Sequence, residues 1–243
     1  MYDPVEAEIS LNILKELSSE CKKRNIPIAI IGGWATSFYV NEIYFMAFGK
    51  SYMGSRDIDV YFDHNKEKEL LQLIKTMGFT PDGMYFRWEK RYNRETKKFM
   101  QPQEAKNEHI FNLIHIFLDI FCDKETKILK SWCLEEAFKN KKYNIINGFS
   151  VVDIDTLTNL KCIALFERDK SDKENKDACD LYALLNYSQK KIKSTELLGK
   201  AIEKIINRFD LLYVIAQHVL LDAGKQNIVQ YSLNSKLKEL QQQ

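Results

Sequence analysis

Ser55-Arg56-Asp57-Ile58-Asp59-Val60-Tyr61-Phe62 alternates in polarity with a period of two. Asp57, Asp59 and Tyr61 fall on one face of a strand, and Ile58, Val60 and Phe62 fall on the other. The apolar face predicts a half-buried strand. The opposite face sets two carboxylates side by side, which repel each other unless a cation stands between them. An isolated Asp-x-Asp is more often a strand end in water. Its weight here comes from the sequence on either side.

Upstream, Pro27 precedes Ile28-Ala29-Ile30-Ile31, a short buried strand that Gly32-Gly33 ends. Trp34–Val40 then reads as a helix start. Backbone N–H groups and the positive helix end at such a junction suit phosphate oxygens, and Ser37 or Thr36 would add a hydroxyl. Asn41–Gly54 is aromatic and irregular. Downstream, Phe111–Cys122 alternates again, with Ile114, Ile116, Leu118 and Ile120 on one face and His115, Phe117, Asp119 and Phe121 on the other. Asp57, Asp59 and Asp119 are acceptor-only oxygen donors on neighbouring strands, a set that suits Mg²⁺.

The rest of the chain predicts an α+β fold. Asp3-Pro4-Val5-Glu6 opens a helix, with Asp as N-cap. Asn65–Met77 is helical by pattern, and Phe79–Glu108 holds a hairpin or a long excursion. Asn147-Gly148 marks a hairpin over Tyr143–Val152, and from Asp155 onward the pattern is almost wholly helical. The expected division is an α/β domain over residues 1–125, with a small mixed sheet and flanking helices. A mostly helical domain with the short hairpin follows over 126–243, the boundary falling near 123–130.

At 243 residues the chain is long enough to bury a core without disulfides. Net charge is only +2, which by itself points neither to a nucleic-acid coat nor to an acidic partner. Cys21, Cys122, Cys133, Cys162 and Cys179 form no Cys-x-x-Cys and read as reduced thiols. Met1–Glu6 lacks the basic-then-apolar pattern of a secretory signal. The longest apolar run, around Ile110–Cys122, is broken by Asn112, His115 and Asp119, short of the roughly 20 apolar residues a bilayer needs. A cytoplasmic protein without a membrane segment is the expectation.

Two weaker patterns compete for attention. His109, His115 and Asp119 would share a strand face if the strand began early enough, a poor zinc set without further ligands. Arg87, Lys90, Arg91, Arg94, Lys97 and Lys98 alternate with Phe86, Trp88, Tyr92 and Phe99. Such interleaving can bind single-stranded nucleic acid, but more often it is a solvated hairpin packing its aromatic side.

The order strand–Gly32-Gly33–helix, then Arg56-Asp57-Ile58-Asp59, then Asp119 on a later strand resembles the DNA polymerase β-like nucleotidyltransferase superfamily. Within it the chain is most similar to the minimal enzymes grouped with the AbiEii-type toxin. Lys161, Arg168 and the Lys176-Asp177-x-x-Asp180 segment match that group's helical pattern. Two departures stand out: 23 residues, Trp34–Arg56, separate Gly33 from Asp57, which makes Asn41–Gly54 an insertion, and Trp34 stands where a small residue is usual. The resemblance implies two Mg²⁺ ions on Asp57, Asp59 and Asp119. It implies a nucleoside triphosphate held by Gly32, Gly33, Ser37, Arg56, Lys161 and Arg168, and transfer of a nucleotide to an acceptor hydroxyl. The acceptor is open among an RNA end, a protein and a small molecule such as an antibiotic. A non-catalytic nucleotide-binding or toxin–antitoxin partner protein on the same scaffold is the alternative.

Overall fold

Asp3 sets the first helix. Its carboxylate accepts from the Val5 N–H at 2.9 Å and Pro4 fills the first helical position. Helix α1 (Pro4–Lys23) buries Ile13, Leu14, Leu17 and Cys21 along one stripe. In this computed structural model, which describes residues 3–122, 129–130, 142–168 and 172–241, the fold is α+β. Two units are distinguished: Met1–Ala35 with Met53–Val152, and Thr36–Tyr52 with Asp153–Gln243. Cys133 and most of the boundary expected near 123–130 lie outside the described residues. Among those residues, no helix is long and apolar enough to cross a membrane.

The first unit is built on a mixed sheet. Its strands are β1 (Ile28–Ile31), β2 (Ile58–Phe62), β3 (Thr80–Pro81), β4 (Arg87–Asn93), β5 (Lys98–Met100), β6 (Leu113–Cys122), β7 (Leu129–Lys130), β8 (Tyr143–Ile146) and β9 (Phe149–Val152). The order across the sheet is β3-β4-β6-β2-β1-β9-β8, with β5 beside β4 and β7 beside β6. Strand β2 runs parallel to β6 and antiparallel to β1. One face is core: Ile58, Val60, Phe62, Leu118, Ile120 and Cys122 have no exposed surface. The Tyr143–Val152 hairpin, expected in the helical part, instead extends this sheet, with Val151 paired to Ile30. Asn147 and Gly148 take the positive φ values its turn requires, while the buried Val151 and Val152 need the sheet beside them. Phe79–Glu108 supplies the β3–β4–β5 edge.

Helix α2 (Gly32–Phe48) begins in the first unit and contributes most of its length to the second. The expectation of an irregular Asn41–Gly54 holds only from Gly49 on, because the helix continues to Phe48. Aromatic packing in the second unit sustains it. Tyr44 donates its hydroxyl to the Val219 carbonyl at 2.8 Å and meets the rings of Tyr52 and Tyr187 edge-on at 5.1 and 5.4 Å. Gly49, at φ +67°, ends the helix. The short helices α3 (Glu67–Thr76) and α4 (Pro102–Ala105) belong to the first unit. The second adds α5 (Ile154–Glu167), α6 (Asp172–Tyr187), α7 (Glu196–Ile206), α8 (Phe209–His218) and α9 (Gln226–Gln241).

Glu174 on α6 is fully buried and bonds Lys204 at 2.9 Å and Arg208 at 3.1 Å. Burial alone would raise its carboxyl, but the two cations outweigh burial and hold it below the ordinary 4.5. A depressed carboxylate stabilises fully above its unfolded value, and the stabilisation fades as pH falls through the lower folded value. Glu174→Gln should therefore lower the urea midpoint at pH 7, and its gap from the native protein should close as pH drops below 4.5. A gap that stays constant down to pH 3 would refute the charge-based account.

Candidate active site

The parallel register of β2 on β6 sets Asp59 opposite Asp119, and the antiparallel register of β4 on β6 sets Arg87 opposite Asp119. Paired positions on neighbouring strands are about 4.8 Å apart with side chains on the same face. Arg87, Asp119 and Asp59 therefore form one row across three strands, with Asp57 just before β2 begins. On β1, Ile31 pairs with Asp59, so the next residue, Gly32, arrives beside the same carboxylate. Gly32 has φ +67°, and a Cβ there would lie 2.8 Å from the Asp59 carboxyl carbon. Only glycine allows both that backbone and that approach.

Arg87 holds Asp119 through a two-point fork: Nε donates to Oδ1 at 2.7 Å and Nη2 to Oδ2 at 2.6 Å. Both side chains are largely buried. These bonds raise the guanidinium further above its ordinary value, and the charges of Asp57 and Asp59 act in the same direction. Arg56 donates to Asp57 Oδ1 at 3.2 Å. The Phe117 ring, two positions before Asp119 on the same face, lies under both cations, with Arg87 at 5.0 Å and Arg56 at 5.5 Å from its centroid. Farther along the face, the buried Glu89 pairs with His115 and Arg91.

The other sequence-derived candidates fall elsewhere. Gly33 is buried in the first turn of α2, whose leading N–H groups lack intrahelical partners. Ser37 sits beyond that turn and is buried. Trp34 is buried and donates to the Ser10 hydroxyl of α1 at 3.0 Å. Lys161 and Arg168 belong to the second unit. The Lys161 ammonium is buried between Asp177 at 2.8 Å and Asp180 at 2.6 Å. Burial would lower it, but the two carboxylates outweigh burial and hold it above its ordinary value. Arg168 also pairs with Asp177. Both side chains have carboxylate partners.

His109 lies outside β6, which begins only at Leu113, so the zinc set does not share a face. The basic–aromatic segment is largely neutralised within the unit. Arg87 pairs with Asp119, Arg91 with Glu89, and Arg94 with Asp3 and Glu6, while Lys90 lies 4.1 Å from the Phe99 centroid. Arg87 and Phe117 are the site residues that the pattern missed. Both are visible as same-face strand positions, but only the β4–β6 register joins them to Asp119.

Among the described residues, no three acidic, imidazole or thiol groups converge tightly enough to form a metal cage. The donors nonetheless fit a hard divalent cation in kind, being carboxylate oxygens in adjacent registers. The cation beside Asp119 is the Arg87 guanidinium.

The sheet and its flanking helices form a fold that other solved structures share. It is similar to an antigenic nucleotidyltransferase-like protein from Paracoccidioides brasiliensis, with a TM-score of 0.52 and 17% identity over 85% of this chain and 91% of that one. It is also similar to JHP933 from Helicobacter pylori, with a TM-score of 0.53 and 14% identity over 97% of this chain and 94% of that one. No protein-family profile matches the chain, and no curated protein matches it by sequence.

Gly32 and Gly49 share φ +67°, but nothing lies within 4 Å of a Cβ placed at Gly49. Gly49→Ala should cost only the left-handed backbone, about 1–2 kcal/mol. Gly32→Ala should cost about 1–3 kcal/mol more through overlap with Asp59. Urea denaturation of both variants checks the difference, and equal losses would refute the close approach of Gly32 to the carboxylate.

Proposed function

We propose that this chain is a Mg²⁺-dependent nucleotidyltransferase, moving a nucleoside monophosphate from a nucleoside triphosphate to an acceptor hydroxyl with release of pyrophosphate. The observation that carries this reading is the row of Asp59 and Asp119 on adjacent parallel strands, beside a glycine-led helix start on the next strand. The nucleotidyltransferase-like fold supports it. Asp57, Asp59 and Asp119 would hold the divalent ions. When bound, such ions neutralise phosphate charge and lower the pKa of an attacking hydroxyl. Gly32 and Gly33 present backbone N–H groups to the phosphates, and Arg56 adds positive charge beside Asp57. Asp119 takes the proton of the acceptor oxygen as that oxygen bonds the α-phosphorus and the bond to the leaving pyrophosphate breaks. Positioning and charge neutralisation provide most of the rate in such transfers. Lys161, Arg168 and Ser37 take no part in this reading.

One observation favours a second reading. Asp119 already has a protein cation, as in a non-catalytic nucleotide-binding protein on the same scaffold. The two separate in one assay. Native protein with labelled nucleoside triphosphates, Mg²⁺ and cell extract should transfer nucleotide label to an acceptor, and Asp59→Asn should reduce transfer by about 100-fold or more. Nucleotide binding without transfer would favour the second reading, and equal labelling by both proteins would remove Asp59 from the site.

A further inference from the structure

A bidentate arginine and a divalent ion compete for the charge of Asp119. The Arg87 fork takes one lone pair on each carboxylate oxygen, and its positive charge repels a second cation placed there. Arg87 is also well placed to leave. It is the first residue of β4. Its guanidinium already lies 5.0 Å from the Phe117 centroid and 5.8 Å from that of Phe86, aromatic faces that accept a planar cation. A phosphate group is as good a two-point partner for it as a carboxylate.

We propose that Arg87 is a resident counter-cation that excludes divalent metal from Asp119 until the phosphates of an incoming nucleotide draw the guanidinium away. The inference rests on the reading of the carboxylates as metal ligands. It makes metal and nucleotide mutually dependent ligands: each is bound weakly alone, and both are bound together once Arg87 has changed partners. Arg87 is thus a positioning residue that sets the order in which the site fills.

The test is Mn²⁺ binding to the full chain without nucleotide, followed through the signal of free Mn²⁺. Arg87→Gln should bind Mn²⁺ on the order of tenfold more tightly than the native protein, within the usual range of coupling between two ligands of one site. Adding Asp119→Asn to Arg87→Gln should remove that gain. Arg87→Lys keeps a charge but loses the fork, and should fall between the two. If Arg87→Gln does not fold, the lysine variant decides by the same comparison. Equal Mn²⁺ affinity in native and variant proteins, lost on Asp119→Asn, would overturn the role of Arg87 alone. Absence of carboxylate-dependent Mn²⁺ binding in every variant, with no label transfer, would overturn the metal reading and this proposal with it.

Discussion

The register of β2 against β6 is the constraint on which the candidate site depends. A slip of one residue would set Asp59 opposite Leu118 or Ile120 and turn it to the other face. What forbids the slip is the apolar side. Ile58, Val60 and Phe62 pair with Leu118, Ile120 and Cys122, all without exposed surface. Burying each large side chain contributes about 1.5–3 kcal/mol, and a slip would bring that face out of the core. The polar row is thus aligned by a hydrophobic register on the opposite side of the sheet, and the repulsion between its carboxylates is outweighed there.

The chain meets like-charged carboxylates in two different ways. In the second unit, Asp177 and Asp180 close on a buried lysine, with Tyr52 donating to Asp180 at 2.9 Å, and Glu174 closes on Lys204 and Arg208. Those acids are almost wholly out of water, where breaking one pair leaves an uncompensated charge and costs several kcal/mol. Such clusters stay closed. At the sheet row, Asp57, Asp59 and Asp119 lie beside the guanidinia of Arg56 and Arg87. The cations there rest on an aromatic ring as well as on acids. Two cations that rest on one ring as well as on acids separate this row from the ion pairs of the helical unit.

Much of this was legible in the sequence wherever a period was clean. The alternation of Asp57–Phe62 and Phe111–Cys122 fixes which face carries the acids, and Asp3-Pro4 fixes the start of α1. The failures share one cause, since each needed a partner on another element. Asn41–Phe48 has no helical punctuation of its own and is held by Tyr187 and Val219. The Asn147-Gly148 turn gave the hairpin but not the strand it joins. Lys161 and Arg168 share a helix face by spacing, yet what they face, Asp177, lies on the following helix. Arg87 stood among six cations that local pattern could not rank.

The two ends of the row are balanced in different currencies of charge. Asp119 is neutralised by a whole cation, Arg87. Asp59 lies against Gly32, where α2 begins and the helix presents its positive end. The two features that phosphates would use, a cationic fork and a helix start, are therefore the two features that steady the carboxylates in their absence. On the proposed reading, nucleotide binding would be an exchange of counter-ions: phosphates would take the fork and the helix end, and the carboxylates thereby released would require a new cation. The register makes that exchange available, because the pairing that gathers the acids on β2 and β6 also brings Arg87 from β4 and Gly32 from the end of β1 to them.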